Sequence, residues 1–467
     1  MNEKKQVEKT EFSLKHSLAF SSALISDALA YQSFTFLIFT FYYTIVRINV
    51  VLISIGFSIW SVWNALNDPL LGGISDRTHT KWGRRIPWIM ISIIPLGILM
   101  IILYTPPMSL GINDEISNFV YFLIVIILFD FFYTMFSINH TALFPEVFID
   151  KEERAKVNSI RQIFVVVGLI LAFILPTLFI PDLTERKYLV NYWNFGIFAC
   201  IFVIIFGLIF LKWGAREKAE FKDDYKDQPS LFKSYKICVK NENFRWAAFA
   251  LIFVWFVFGM LPTIIPLYGK FVLGVDNSLF IALMLAFAFI SAMIFVFVWR
   301  IVVVRIGARK TWICSLLVWI VTQIPLLFVT GVVWGLIIFF LMGAGFAGAL
   351  LLREILWADV IDEDEVNTGV RREAAYFGMN ALFMRLSTIL IFLAISLVFT
   401  NTGWALYAPE KVTPEVIFGL KLLMVVFPVI ALSIAIFGFY MYPLDGERLI
   451  KVKEAQRRLH AEKKTRI

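Results

Sequence analysis

The chain has 467 residues, of which 60% are hydrophobic and 17% charged, and its formal net charge is +8. The apolar residues arrive in long blocks rather than at an amphipathic period, which excludes a soluble domain. The basic residues gather in short loops and at the ends, so the charge reads as membrane topology and not as a nucleic-acid footprint. Cys200, Cys238 and Cys314 are widely spaced with no C-x-x-C, which indicates neither a metal centre nor a disulfide framework.

The first twelve residues, M-N-E-K-K-Q-V-E-K-T-E-F, are polar and mixed in charge. The apolar run behind them is too long for a signal peptide's core and lacks a small-residue cleavage site, so it is read as a first membrane helix. Blocks of roughly 20 residues, long enough to span, fall near 17–46, 48–73, 86–106, 116–146, 159–181 and 190–213. A second set falls near 242–272, 277–300, 310–330, 332–357, 374–400 and 413–442. The pattern predicts an all-α membrane protein with twelve transmembrane helices in two pseudo-symmetric six-helix bundles. The expected divisions are an N-terminal bundle over 1–213, a middle loop over 214–240, a C-terminal bundle over 241–442 and a tail over 443–467.

Odd-numbered connections hold few basic residues (Arg47, Arg186, Lys187, Lys270, Lys411), whereas even-numbered ones and both ends hold most of the rest. By the positive-inside rule both termini and the middle loop are cytoplasmic. Two six-helix halves suggest parallel repeats around a central site. A faint echo of the 2–3 hairpin G-I-S-D-R-T-H-T-K-W-G-R-R appears in R-I-V-V-V-R-I-G-A-R-K at 300–310. The basic tail from Asp445 is read as solvated rather than as an amphipathic surface helix.

Polar residues at membrane depth are costly and usually face a bundle interior or an aqueous path. Asn64, Asn67 and Asp68 stand at i, i+3 and i+4 in the second block, on one helical face, where oxygen ligands suit a small hard cation or a proton. The competing reading is a polar face that only joins helices. Asp130, Thr134 and Ser137, at i, i+4 and i+7, share a face of the fourth helix. Asp27 lies inside the first helix and needs a partner, for which Arg161 and Arg385 are the candidates. It would accept hydrogen bonds from substrate hydroxyls or else form a structural salt bridge. His140 is read as bonded to its neighbours rather than as a proton relay. Among aromatic residues, Tyr31, Trp60, Trp63, Tyr133 and Tyr376 are candidates for stacking on a sugar ring. Arg353 and Glu354 are adjacent and so about 100° apart on a helix. They are expected to join Asp359, Asp362, Arg371 and Arg372 in charge networks at the cytoplasmic ends. With Asp76, Arg77, Arg84 and Arg85 these would latch an inner gate.

The run N-D-P-L-L-G-G-I-S-D-R-T-H-T-K-W-G-R-R-I-P-W (67–88) resembles the signature of the glycoside–pentoside–hexuronide:cation symporters, the melibiose permease-like branch of the major facilitator superfamily. A-D-V-I-D-E-D-E-V-N-T-G-V-R-R-E-A (358–374) is similar to that family's helix 10–11 loop. F-P-E-V-F-I-D-K-E-E-R-A-K-V-N-S-I-R (144–161) is similar to its helix 4–5 segment. The resemblance implies that Asp68 matches the second of two cation-binding aspartates in helix two, the first being replaced here by Asn64. It implies that Thr134 matches a cation-site threonine, that Ser137 stands where the family has an aspartate, and that Asp27 approximates a sugar-binding aspartate. Arg161 matches a helix-five arginine, and Arg385 replaces a helix-eleven lysine. The missing carboxylate at position 64 leans towards proton coupling, or sodium with Asp130 assisting, and also permits none.

The reading that results is a secondary carrier, not an enzyme, moving a sugar, glycoside or hexuronide by alternating access with H+ or Na+. The substrate-binding set is Asp27, Tyr31, Trp63, Ser137, Arg161 and Arg385, and the cation set is Asn64, Asn67, Asp68, Asp130 and Thr134. Lysophosphatidylcholine symporters of animals share the branch, so the alternative is a lysolipid or other amphiphile. No cofactor and no nucleic acid are expected, only a small-molecule substrate, a coupling cation and membrane lipids, for a monomer in the plasma membrane. A membrane enzyme would need a paired histidine motif that the four histidines do not form, and nothing resembles a selectivity filter.

Overall fold

A computed structural model describes residues 13–78, 80–148, 150–216, 236, 238–369 and 372–465. The described residues are overwhelmingly helical. Helix α1 (Leu14–Thr40) continues through a π turn to Ile45 and is followed by α2 (Val50–Asp76), α3 (Ile86–Ile102), α4 (Glu115–Val147), α5 (Lys151–Phe179) and α6 (Leu189–Ile209). Then come α7 (Glu242–Phe271), α8 (Ser278–Ile306), α9 (Ala308–Gln323), α10 (Val332–Thr368), α11 (Glu373–Asn401) and α12 (Pro414–Met441), the last broken by a π turn. Eleven are long and apolar enough to cross a membrane, and α3, at 17 residues, is the short one. Polar caps set many of the starts: Asn49, Asp114, Asp150, Asn241 and Asn277 each accept a hydrogen bond from a first-turn amide.

The packing repeats with a period of six helices. In the first half α1 packs on α5 and α6, α2 on α4, and α3 on α4 and α6. In the second half α7 packs on α11 and α12, α8 on α10, and α9 on α10 and α12. Between halves, α2 meets α11 and α5 meets α8, which are the same contact under a pseudo-twofold axis, while α1 meets α7 on that axis. Lipid tails are as apolar as these helices, so association in the bilayer gains no hydrophobic drive and close approach depends on small residues. A Cβ added at Gly345 would lie 2.5 Å from the Trp319 backbone nitrogen, and one at Gly343 would collide with the Ala288 carbonyl oxygen. These glycines let α9 and α8 press against α10.

Two expectations are corrected here. Helix α10 runs to Thr368, well beyond the block ending near 357, so Asp359, Asp362, Glu363, Asp364 and Glu365 are helical and buried rather than in a loop. The tail is not simply solvated: Gly446–Thr465 forms α13, which lies against α10. Lys453 Nζ sits 2.7 Å from both Asp359 Oδ1 and Asp362 Oδ2, and Arg448 Nη2 sits 2.8 Å from Glu363 Oε1. Buried carboxylates need compensating charge, and the tail supplies it. Partial burial works to lower the Lys453 pKa, but its hydrogen bonds and pairing with the two aspartates outweigh that and raise it. The lysine therefore stays charged through neutral pH, and its side of the pairing is lost as pH climbs through that raised value.

Two outcomes are expected. Gly345→Val should lower the thermal stability of the solubilised protein by several degrees, whereas Gly72→Ala, whose added methyl meets nothing within 4 Å, should not. Thermal melts followed by light scattering compare the two. Lys453→Ala should leave two buried carboxylates short of a partner, a cost of ~1–3 kcal/mol. Amide hydrogen exchange across 446–459 should then quicken by about tenfold.

A candidate substrate and cation site between the two bundles

The polar face of α2 meets the polar face of α4. Asn64 donates to Asp130 Oδ1, and Asn67 Nδ2 donates to Asp130 Oδ2 at 3.1 Å. One turn further along, Thr134 Oγ1 donates to Asp68 Oδ1 at 3.2 Å. Pro69 follows Asp68 inside α2 and removes the amide that would have bonded four residues back. From the other half, Arg385 on α11 reaches Asp68 Oδ2 with Nη2 at 3.0 Å. Tyr31 on α1 stands beside the same guanidinium. The cluster thus holds two aspartates and one arginine, one negative charge in excess. Asn64 Oδ1 is buried with no hydrogen-bond partner among the described residues.

Arg385 also faces a cavity of about 370 Å³ between the halves. Its polar walls are Tyr31, Gln32 and Thr35 on α1, Tyr133 on α4, Thr263 on α7, and Ser387 and Thr388 on α11. Trp60, Trp255, Phe34 and Phe258 supply aromatic faces. Tyr31 and Tyr133 stack with ring centroids 4.8 Å apart. One turn from this pair towards the ends carrying the termini, Asp27 lies beside Ser137 and Tyr133. Asp27 Oδ1 has no hydrogen-bond partner among the described residues. Arg161 contributes positive charge nearby, with its guanidinium 4.0 Å over the Phe144 ring.

Several expectations are revised by this geometry. Arg385 partners Asp68 rather than Asp27, and neither arginine closes an ion pair with Asp27 among the described residues. Trp63 is not on the cavity wall, whereas Trp60, three residues earlier on α2, is. Tyr376 lies elsewhere, taking a hydrogen bond from Asn241 at 3.2 Å. His140 packs among Phe20, Phe136 and Phe210 with Nε2 3.4 Å from the Phe20 carbonyl, the neighbour-bonded reading. Gln32, Thr35, Thr263, Ser387 and Thr388 were not anticipated. A face drawn from Asp27 at steps of four passes through Tyr31 and Thr35 and would have found the first wall.

The expected latch charges fall into two groups. Arg84 Nη2 and Arg85 Nε lie 2.7 and 3.0 Å from Glu146 Oε1, so the helix 2–3 hairpin bonds the end of α4 within the first half. Arg372 Nη1 lies 2.8 Å from Asp364 Oδ2 within the second, and Asp359 and Asp362 are taken by the tail. Arg353 and Glu354 pair with each other at 2.7 Å, against expectation, because arginine's long stem spans the angle between adjacent positions. Arg77 is exposed. Arg371 and the Asp76 side chain lie outside the described residues.

At the opposite end, contacts cross between the halves. Lys270 Nζ on α7 bonds Asp182 Oδ2 at 2.8 Å, Thr184 Oγ1 at 2.7 Å and Glu185 Oε1 at 2.9 Å, all in the α5–α6 connection. The backbone adds Val50 N to Ala405 O and Ser278 N to Pro181 O, both 2.9 Å and related by the pseudo-twofold axis. Phe57 stacks on Phe392 at 3.6 Å beneath them. The two halves are therefore joined at the end away from the termini.

Residues 19–446 match the family described as MFS/sugar transport protein. An uncharacterized symporter of Synechocystis is 23% identical over 89% of this chain and 90% of its own length. The isoprimeverose transporter of Lactiplantibacillus pentosus is 26% identical over 73% of this chain and 70% of its own. Sodium-dependent lysophosphatidylcholine symporter 1 of Gallus gallus is 24% identical over 86% and 81%. The solved structure of the nucleoside transporter NupG matches in fold with a TM-score of 0.65, covering 92% of this chain and 100% of that one at 14% identity. All four are transporters and none is an enzyme. With eleven membrane-length apolar helices and the shorter α3 among the described residues, packed as two pseudo-symmetric halves around a polar cavity, the chain belongs to the MFS/sugar transport protein family.

Proposed function

We propose that this protein is a secondary active transporter that carries a sugar or glycoside together with one monovalent cation by alternating access. One observation carries the reading: Arg385 lines the central cavity and at the same time holds Asp68 across the interface between halves. A cation arriving at Asp68 and Asp130 neutralises the charge that Arg385 now satisfies. The guanidinium is then free to turn to a substrate oxygen in the cavity. Substrate and cation are coupled because they compete for, and release, the same arginine. The excess of one negative charge fits one H+ or one Na+. The amide oxygen of Asn64 supports sodium if it turns towards the ion, and Asp130 alone suffices for a proton.

The cavity wall favours a sugar. Hydroxyl and amide groups of Tyr31, Gln32, Thr35, Thr263, Ser387 and Thr388 suit a polyhydroxylated ring, and Trp60 and Trp255 suit its C–H faces. A volume of about 370 Å³ lies within the ~300–1,000 Å³ of small-molecule pockets. The lysolipid reading rests on a second, apolar recess behind Gln32, Phe258 and Pro262, walled by Phe173, Phe289, Trp319 and Phe346. Under the same proposal the rocking units are residues 1–213 and 241–442, the termini are cytoplasmic, and the protein acts as a monomer in the plasma membrane. The joined end is then extracellular and the conformation faces inward.

Uptake into proteoliposomes of a panel of radiolabelled glycosides, pentosides, uronic acids and one lysolipid, under imposed proton and sodium gradients, tests this. A sugar should accumulate under one gradient. Asp68→Asn and Arg385→Gln should cut gradient-driven accumulation between about 5- and 150-fold, the span of a coupling free energy of ~1–3 kcal/mol. Lysolipid-only uptake, or equilibration indifferent to both gradients, would reject the reading. Separately, Lys270→Ala should weaken the joined end by ~1–3 kcal/mol by leaving Asp182 and Glu185 uncompensated. A single cysteine placed at Thr263 should then react about tenfold faster with an external impermeant maleimide.

A further inference from the structure

We propose that a groove at the junction of α1, α5 and α6, on the side of the protein that carries the termini, is a binding site for an anionic phospholipid. The groove has a volume of about 580 Å³ and lies apart from the central cavity. Lys15 and Arg216 stand on its rim, both exposed, and neither joins any of the described ion pairs. No carboxylate among the described residues lines it. Arg216 is also close enough to the His16 ring to act on it electrostatically. Below the rim the wall turns apolar, through Leu18, Phe206 and Trp213, with Leu18 41% and Trp213 54% exposed.

The site is built rather than incidental. A Cβ added to Gly214 would lie 2.6 Å from the Phe20 nitrogen, so the π turn Phe210–Gly214 that follows α6 presses directly on α1. His16 Nε2 bonds the Gly214 carbonyl at 3.0 Å and closes the joint. The two basic side chains are thereby carried on one rigid corner. A basic rim over an apolar wall at the end of membrane helices matches a phosphate headgroup above acyl chains, and a tryptophan at that level matches the interface. A free phosphate would use the rim alone and leave the apolar wall bare, which favours the lipid.

The test uses the full-length protein in phosphatidylcholine vesicles containing a low fraction of dibrominated phosphatidylglycerol or dibrominated phosphatidylcholine. The Trp213 component of the fluorescence is the difference between wild type and Trp213→Phe. Brominated phosphatidylglycerol should quench that component at far lower mole fraction than the zwitterionic probe. At about 1 kcal/mol per basic residue, Lys15→Gln should weaken the preference roughly fivefold and Lys15→Gln with Arg216→Gln about 25-fold. Arg305→Gln, an exposed basic residue in the last turn of α8 and outside the groove's lining, should not. Equal quenching by the two probes in the wild type, quenching by neither, or a preference untouched in the double variant would each overturn the proposal. None of these readouts depends on transport.

Discussion

The pair between Asp68 and Arg385 is the interaction on which the interior depends. A carboxylate and a guanidinium in the core of a membrane protein are each costly alone, and the cost of separating them grows as water is excluded. Here each belongs to a different half of the molecule, so the pair is both a charge balance and a bond between bundles. Its neighbours follow from it. Thr134 holds the free oxygen of Asp68, Asn64 and Asn67 hold Asp130, and Tyr31 flanks the guanidinium. Under the proposed cycle, whatever displaces Arg385 from Asp68 also loosens one half from the other. Binding and conformational change then draw on the same electrostatic term.

The pseudo-twofold axis extends this logic to the ends. The amide of Val50 bonds the Ala405 carbonyl, and the amide of Ser278 bonds the Pro181 carbonyl, each at the start of the second helix of its half. Such backbone contacts are independent of side-chain identity, which explains how two halves with only a faint sequence echo keep equivalent joints. Side chains then break the symmetry. Lys270 with its acidic partners belongs to one joint, and the Tyr43 hydroxyl bonded to the Trp404 carbonyl belongs to the other.

Much of this was legible in the sequence because membrane helices announce themselves by length and because polar residues are rare within them. The face of Asn64, Asn67 and Asp68 and the face of Asp130 and Thr134 could be read from helical spacing, and they do meet. Which residues met across the interface could not be read, since spacing carries no information about neighbouring helices. Arg385 was therefore offered to Asp27 when it reaches Asp68. Trp63 was preferred over Trp60 although the two are only three residues apart, a difference in helical phase of about 60°. The acids after Trp357 looked like a loop because charge normally ends a membrane helix. Only the docking of Arg448 and Lys453, some 85 to 94 residues away, makes a buried helical continuation affordable.

That docking also has a meaning for how the protein is made. The acids of α10 leave the ribosome well before the residues that neutralise them, with two membrane helices synthesised in between. Until the last segment emerges, Asp359, Asp362 and Glu363 lack the lysine and arginine they hold in the finished molecule. A chain stopped just after α12 would contain α1–α12 and still lack the Lys453 and Arg448 that face these acids. The order of synthesis is thus written into the electrostatics of the fold.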